Sequence, residues 1–160
     1  MDVRPPTHFV SPRARLYWAV EGLILTVVLV AVLVVWTVFG GLGMPWTLVG
    51  AGVILLVFAG GALLTPYARY RIHRWEVTGD AVYTQRGWLT IEQRIAPISR
   101  VQTVDTERGA LARLFGLSTV TVTTASAKGE LKIEGLDRSV AEDIVRDLTV
   151  VTAASPGDAT

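Results

Sequence analysis

From Leu23 to Leu64 the chain is almost entirely apolar, whereas from Arg69 to Asp147 charges of both signs recur every few residues. Two patterns this different in one chain imply two regions that face different solvents. Within the first, Tyr17–Phe39 carries one charge, Glu21, and Trp46–Leu64 carries none. Crossing a bilayer takes roughly 20 residues. In lipid a lone segment satisfies its backbone hydrogen bonds only as a helix, whatever its valines prefer in water. The pattern therefore predicts two membrane helices over residues 17–39 and 46–64, joined by the short turn-forming "GGLGMP" into an antiparallel hairpin within residues 17–65. A cleaved leader is the competing reading of the first segment. Its apolar run exceeds the usual length of about 7–15 residues, and a second span follows directly.

Past Tyr70 the period changes to two. Leu89, Ile91 and Ile95 fall on one face, with Trp88, Thr90, Glu92 and Arg94 on the other; Val120 and Val122 alternate with threonines; Leu131 and Ile133 alternate with Lys132 and Glu134. Such alternation marks antiparallel strands with one buried and one wet face. It predicts six strands: Ile72–Thr78, Ala81–Arg86, Trp88–Pro97, Arg100–Glu107, Ser118–Thr124 and Glu130–Gly135, with bends at "TGD", "RGW" and "SAKGE". Leu136, Val140, Ile144 and Leu148 then recur every four residues, the stripe of an amphipathic helix, and Ser139 with Glu142 fits a capping box at its start. The expected organisation is an N-terminal tail (1–16), the hairpin (17–65), an α+β domain (70–150) in which an antiparallel sheet is closed by a helix, and a flexible tail (153–160).

Charge adds orientation. Arg4, Arg13 and Arg15 precede the first span, Arg69, Arg71 and Arg74 follow the second, and the loop between them has no basic residue. The positive-inside tendency predicts a multi-pass protein of the cell (inner or plasma) membrane with both termini cytoplasmic. The three juxtamembrane arginines are also candidate contacts for anionic lipid, each worth about 1 kcal/mol near a charged leaflet. A net charge of +1 gives no reason to expect nucleic acid, and the absence of cysteine excludes disulfides and thiol chemistry. His8 and His73 lack metal-ligand spacing, and no serine sits in a nucleophile elbow. Asp105 and Glu107 alternate onto one solvated strand face. No cofactor, metal or catalytic residue is expected.

Several short motifs occur in an order that resembles the YdbS-like family of bacterial membrane proteins with a pleckstrin-homology (PH)-like domain. They are "VTGDAVYTQRGWL", the run "RIAPISRVQTVDTERGALARLFGLSTVTVTT", and "IEGL" ahead of the last helix. The resemblance covers about Arg74 to Leu148, with the hairpin in a consistent position. It implies a PH-like antiparallel β-barrel or sheet closed by a C-terminal helix. It also implies that "ALARLFGL" is a short helical plug, with Leu111, Leu114, Phe115 and Leu117 in the core and Gly116 ending the turn. Eukaryotic relatives of the fold bind phosphoinositides through basic residues around the first hairpin; that turn here is Thr78, Gly79 and Asp80, an acid where cations are needed. The expectation is a non-catalytic, membrane-anchored module for protein interaction or assembly. Its partners would be the bilayer, an unidentified membrane or cytoplasmic protein, or further copies of the chain. Anionic-lipid binding is the alternative. A transporter subunit is a third class, but two spans without buried polar residues offer no pathway unless the chain oligomerises.

Overall fold

The computed structural model describes residues 4–40, 43–125 and 129–154. The chain divides into two compact units: Arg15–Ala68, and Arg69 onward together with the N-terminal residues up to Ala14.

The apolar unit is helical. Helix α1 spans Arg13–Val38; α2, Met44–Ile54, continues through a π-helical turn at Leu55–Ala59 into α3, Gly60–Ile72. Both helices, of 26 and 29 residues, are long and apolar enough to cross a membrane, and few of their side chains are buried. They extend past the apolar segments into the flanking arginines. They come close at Gly22, where an added Cβ would lie 2.7 Å from the Ala62 Cβ. Beside it the Thr26 hydroxyl donates to the Gly22 carbonyl at 2.8 Å. Small residues let membrane helices approach in this way. Of the glycines in the second helix, Gly50 abuts Leu33, while Gly52, Gly60 and Gly61 face open space.

The other unit is two antiparallel sheets and a helix. Strands β1 (His8–Phe9), β2 (Arg74–Val77), β3 (Ala81–Gly87) and β4 (Ile91–Pro97) form one sheet in sequence order. A 3₁₀ turn at Ile98–Arg100 carries the chain into β5 (Val101–Glu107), which pairs with β6 (Leu117–Thr124), itself paired with β7 (Leu131–Asp137). The expected barrel is corrected here: β4 and β5 end their respective sheets without pairing to each other, so the sheets do not close. Helix α5, Arg138–Ala154, packs Ala141, Ile144 and Leu148 against Val120 and Val122 of β6 and Leu131, Ile133 and Leu136 of β7. Val82 of β3, Ala96 of β4 and Ile98 complete that core.

Three further expectations change. The N-terminal segment is not simply a tail: His8 and Phe9 pair with Trp75 and Arg74, and Arg4 reaches Glu76 at 2.6 Å. Leu136 belongs to β7, not to the closing helix. Ser139 and Glu142 make no capping box: α5 begins at Arg138, which leaves Ser139 inside the first turn, and the Glu142 carboxylate accepts from Arg138 Nε at 2.7 Å and from Arg108 at 3.3 Å. That hydrogen bond from Arg138 holds the Glu142 carboxyl below the usual range. Much of the "SAKGE" bend and the tail beyond Ala154 lie outside the described residues.

The plug is also corrected. Helix α4 is only Ala110–Leu114, and Leu114 is 82% exposed. Leu111 and Phe115 are half-buried and lie outside the core cluster, whereas Leu117, the first residue of β6, is buried as expected. Five residues make little more than one turn, and Phe115 already lies past its end at φ −91° and ψ 1°, so no continuous helix carries Leu111, Leu114 and Phe115 to the core together. Gly116 has φ 68°, the left-handed conformation that only glycine takes without steric cost, and returns the chain to β6.

Candidate interaction surface

The β3–β4 hairpin carries the main exposed apolar cluster of this unit. Seven register pairs hold the two strands together, from Ala81↔Pro97 to Gly87↔Ile91. The turn depends on Gly87, whose φ is 118°. A Cβ there would overlap the Thr90 carbonyl oxygen. Beyond it, Trp88 and Leu89 stand at the tip, 52% and 80% exposed.

On β4 the apolar residues point the wrong way for a core. Ile91 and Ile95 are 56% and 47% exposed, whereas Arg94 keeps only 16% of its side chain in solvent. Alternation predicted a buried Leu89–Ile91–Ile95 face, and the structure places that face outside. The opposite face is taken by Ala96, which is buried against Val82. It is taken also by Arg94, which donates to the carbonyls of Glu130 and Gly129. Glu92 lies between Arg86, at 2.8 Å, and Arg94, at 3.9 Å. Gln93 donates to Gln85 at 2.9 Å.

The three candidate lipid-binding arginines do not converge. Arg69 is held by Glu134 at 2.7 Å. Arg74 lies over the Phe9 ring, 4.2 Å from its centroid, and Phe9 in turn stacks on Tyr70. Arg71 is exposed. Asp80 is exposed at the Thr78–Ala81 turn, whose backbone is tied by the Thr78 hydroxyl.

His73 is buried beside Arg69, with Nδ1 2.9 Å from the Arg69 carbonyl oxygen. Burial first, then the Arg69 guanidinium, pushes its pKa below 6.5; the carbonyl contact and Glu134 pull it back, and Arg86 adds to the depression. The unfolded chain therefore binds a proton at His73 more readily than the folded one, so stability is lost as pH falls through the ordinary histidine range. The thermal midpoint of the full chain in detergent should drop between pH about 7.5 and about 5.5, and His73→Gln should flatten that drop. Equal slopes in the two proteins would remove His73 as the cause.

A shallow open groove of about 740 Å³ runs past Ser11, Arg13, Gly116 and the start of α5. Its polar groups satisfy one another: the Ser11 hydroxyl donates to Asp137 at 2.8 Å, and Arg13 approaches the same carboxylate at 3.7 Å. Among the described residues no cluster of histidine and carboxylates is placed to hold a metal ion.

A short open pair of sheets with one closing helix, preceded by two apolar helices, defines the class. The sequence model for the bacterial PH domain matches residues 14–149, and the chain belongs to that family. It is also 29% identical over 147 residues to the UPF0699 transmembrane protein YdbS of Bacillus subtilis (strain 168), a match covering 83% of this chain and 87% of that protein. No solved structure matches.

Proposed function

We propose that the chain is a non-catalytic, membrane-anchored PH-like module that mediates protein interaction or assembly at the cytoplasmic face. The observation that carries this reading is the outward Leu89–Ile91–Ile95 face with Trp88 at its tip. A strand that exposes its apolar side while tucking in an arginine breaks the rule for a free-standing sheet, and such breaks concentrate at functional surfaces. The two candidate spans, and the similarity to a protein named as transmembrane, support the membrane anchor. Anionic-lipid recognition is the weaker reading, since Arg69 and Arg74 are engaged within the domain and Asp80 sits at the first hairpin turn.

Topology is tested by reporter fusions. A fusion at Gly43 should read outside and one following α5 should read cytoplasmic; a cytoplasmic signal at Gly43 would refute the hairpin. Interaction is tested by cross-linking the full chain in its native membrane. Discrete protein adducts are expected, and they should fall sharply when Leu89 and Ile91 are both changed to serine. Adducts indifferent to those changes would sink the reading of this face.

A further inference from the structure

We propose that a second copy of the chain pairs with this strand, joined edge to edge through β4 about a two-fold axis at Gln93, so that the apolar side chains of the two copies lie side by side. The inference deepens the reading of the domain as an interaction module and rests on it.

Strand β4 ends its sheet, with no pairing on its far side among the described residues. A free edge is a template for another strand, and a two-fold interface requires each patch to complement itself. The sequence along this edge does so. When β4 is laid antiparallel on its copy with Gln93 opposite Gln93, Ile91 faces Ile95 and Ile95 faces Ile91. Leu89 meets Pro97 at each end of the same face. Pro97 has no N–H to extend a ladder, so pairing stops there. On the other face Glu92 lies opposite Arg94 at both symmetric positions. Within one chain Arg86 holds one Glu92 oxygen at 2.8 Å and Arg94 approaches the other at 3.9 Å, while Arg94 also donates to the Glu130 and Gly129 carbonyls; the copy's Arg94 would add a further positive charge beside each carboxylate without replacing those contacts.

Charge selects this register. A shift that centres the axis on Arg94 sets two arginines face to face, and one that centres it on Glu92 sets two carboxylates together. Like charges directly opposite are destabilising, and opposite charges and aliphatic pairs are stabilising. A shift by one residue moves every side chain to the wrong face. Only the register centred on Gln93 matches both the apolar and the charged positions. The result is a continuous sheet of two four-stranded halves.

The test uses the full chain in mild detergent or in lipid nanodiscs. Because the protein has no cysteine, one introduced thiol reports unambiguously. Gln93→Cys should form a disulfide-linked dimer on mild oxidation, since directly opposite residues have Cα atoms about 4.5–5.5 Å apart. Glu92→Cys should not, since its copy lies two positions out of register, beyond the limit of about 7 Å. Charge gives an independent readout. Glu92→Arg and Arg94→Glu each set two like pairs across the axis, and each should weaken self-association about tenfold. Mixed one to one, the two variants present opposite charges at both positions and should associate again. Two chains that had merely failed to fold would not rescue each other.

A monomer at all concentrations would overturn the proposal. So would cross-linking equal at the two thiol positions, as in a dimer held by the spans or in a hairpin buried in lipid. So would a mixture no better than its components. Adducts with a different protein that depend on Leu89 and Ile91, alongside no Gln93→Cys dimer, would overturn the second copy while leaving the interaction module standing.

Discussion

Leu148→Ala is expected to cost about 2–5 kcal/mol of stability. Leu148 is fully buried on α5 with Ala141 and Ile144, against the valines of β6 and the aliphatic residues of β7. Truncation removes apolar burial and leaves a cavity lined by strands that cannot collapse into it without losing their register. Small domains have a total stability of about 5–15 kcal/mol, so this variant should be cleaved by protease far faster than the parent. Leu114→Ala, by contrast, should stay within about 0.5 kcal/mol of it, because Leu114 is 82% exposed. Protease resistance of the full-length proteins in detergent, compared side by side, checks both. Strong destabilisation by Leu114→Ala would restore α4 to the core. Little effect of Leu148→Ala would mean that α5 does not close the sheets.

The contrast between these leucines shows what the sequence could convey. Period two in "TVTVT" and a four-residue repeat from Val140 to Leu148 each express a preference sustained over several residues, and β6 and α5 appear where those patterns lie. In "ALARL" the spacing is helical too, but a single turn has too few positions to define a face, and its burial is decided by what the rest of the chain leaves unfilled. That space is already occupied by Val120, Val122, Leu136 and Leu148. Strand β1 had no such signal at all. Two residues carry no period, and His8 and Phe9 are strand because β2 offers them an edge. Whether two sheets close into a barrel depends on pairing between β4 and β5, a relation between distant backbones that no local pattern records.

The candidate surface was legible only in part. Arg69, Arg71 and Arg74 are conspicuous as charges, yet Arg69 is paired with a glutamate 65 positions away, and Arg74 lies over an aromatic ring in the N-terminal segment. Alternation correctly grouped Leu89, Ile91 and Ile95 on one side of a strand. It could not say which side faced the core, because the opposite side ends in Ala96 and carries an arginine whose guanidinium is satisfied by carbonyls of the β6–β7 connection. Period gives the grouping of side chains, and tertiary contact gives its sign.

The two hairpin turns of the first sheet should respond oppositely to one methyl group. Gly79→Ala is expected to be nearly silent: nothing lies within 4 Å of the position an added Cβ would take, and the turn is tied by the Thr78 hydroxyl instead. Gly87→Ala should be severe. At φ 118° an L-residue is strained by about 1–3 kcal/mol before any contact is counted. The new Cβ would also meet the Thr90 carbonyl oxygen, a backbone atom fixed by the pairing of Ile91 with Gly87. Relief requires the Trp88–Thr90 turn to open or the β3–β4 register to slip, and a slip of one residue would drive Ile91 and Ile95 inward and Ala96 out of the core. The variant should therefore lose two things together. Its thermal midpoint should fall, because Val82 and Ala96 are core residues on these strands, and the Gln93→Cys cross-link made in its background should disappear. Gly79→Ala should change neither. If Gly87→Ala kept both its midpoint and its cross-link, the hairpin would have to tolerate a turn other than the one that sets Trp88 and Leu89 at its tip.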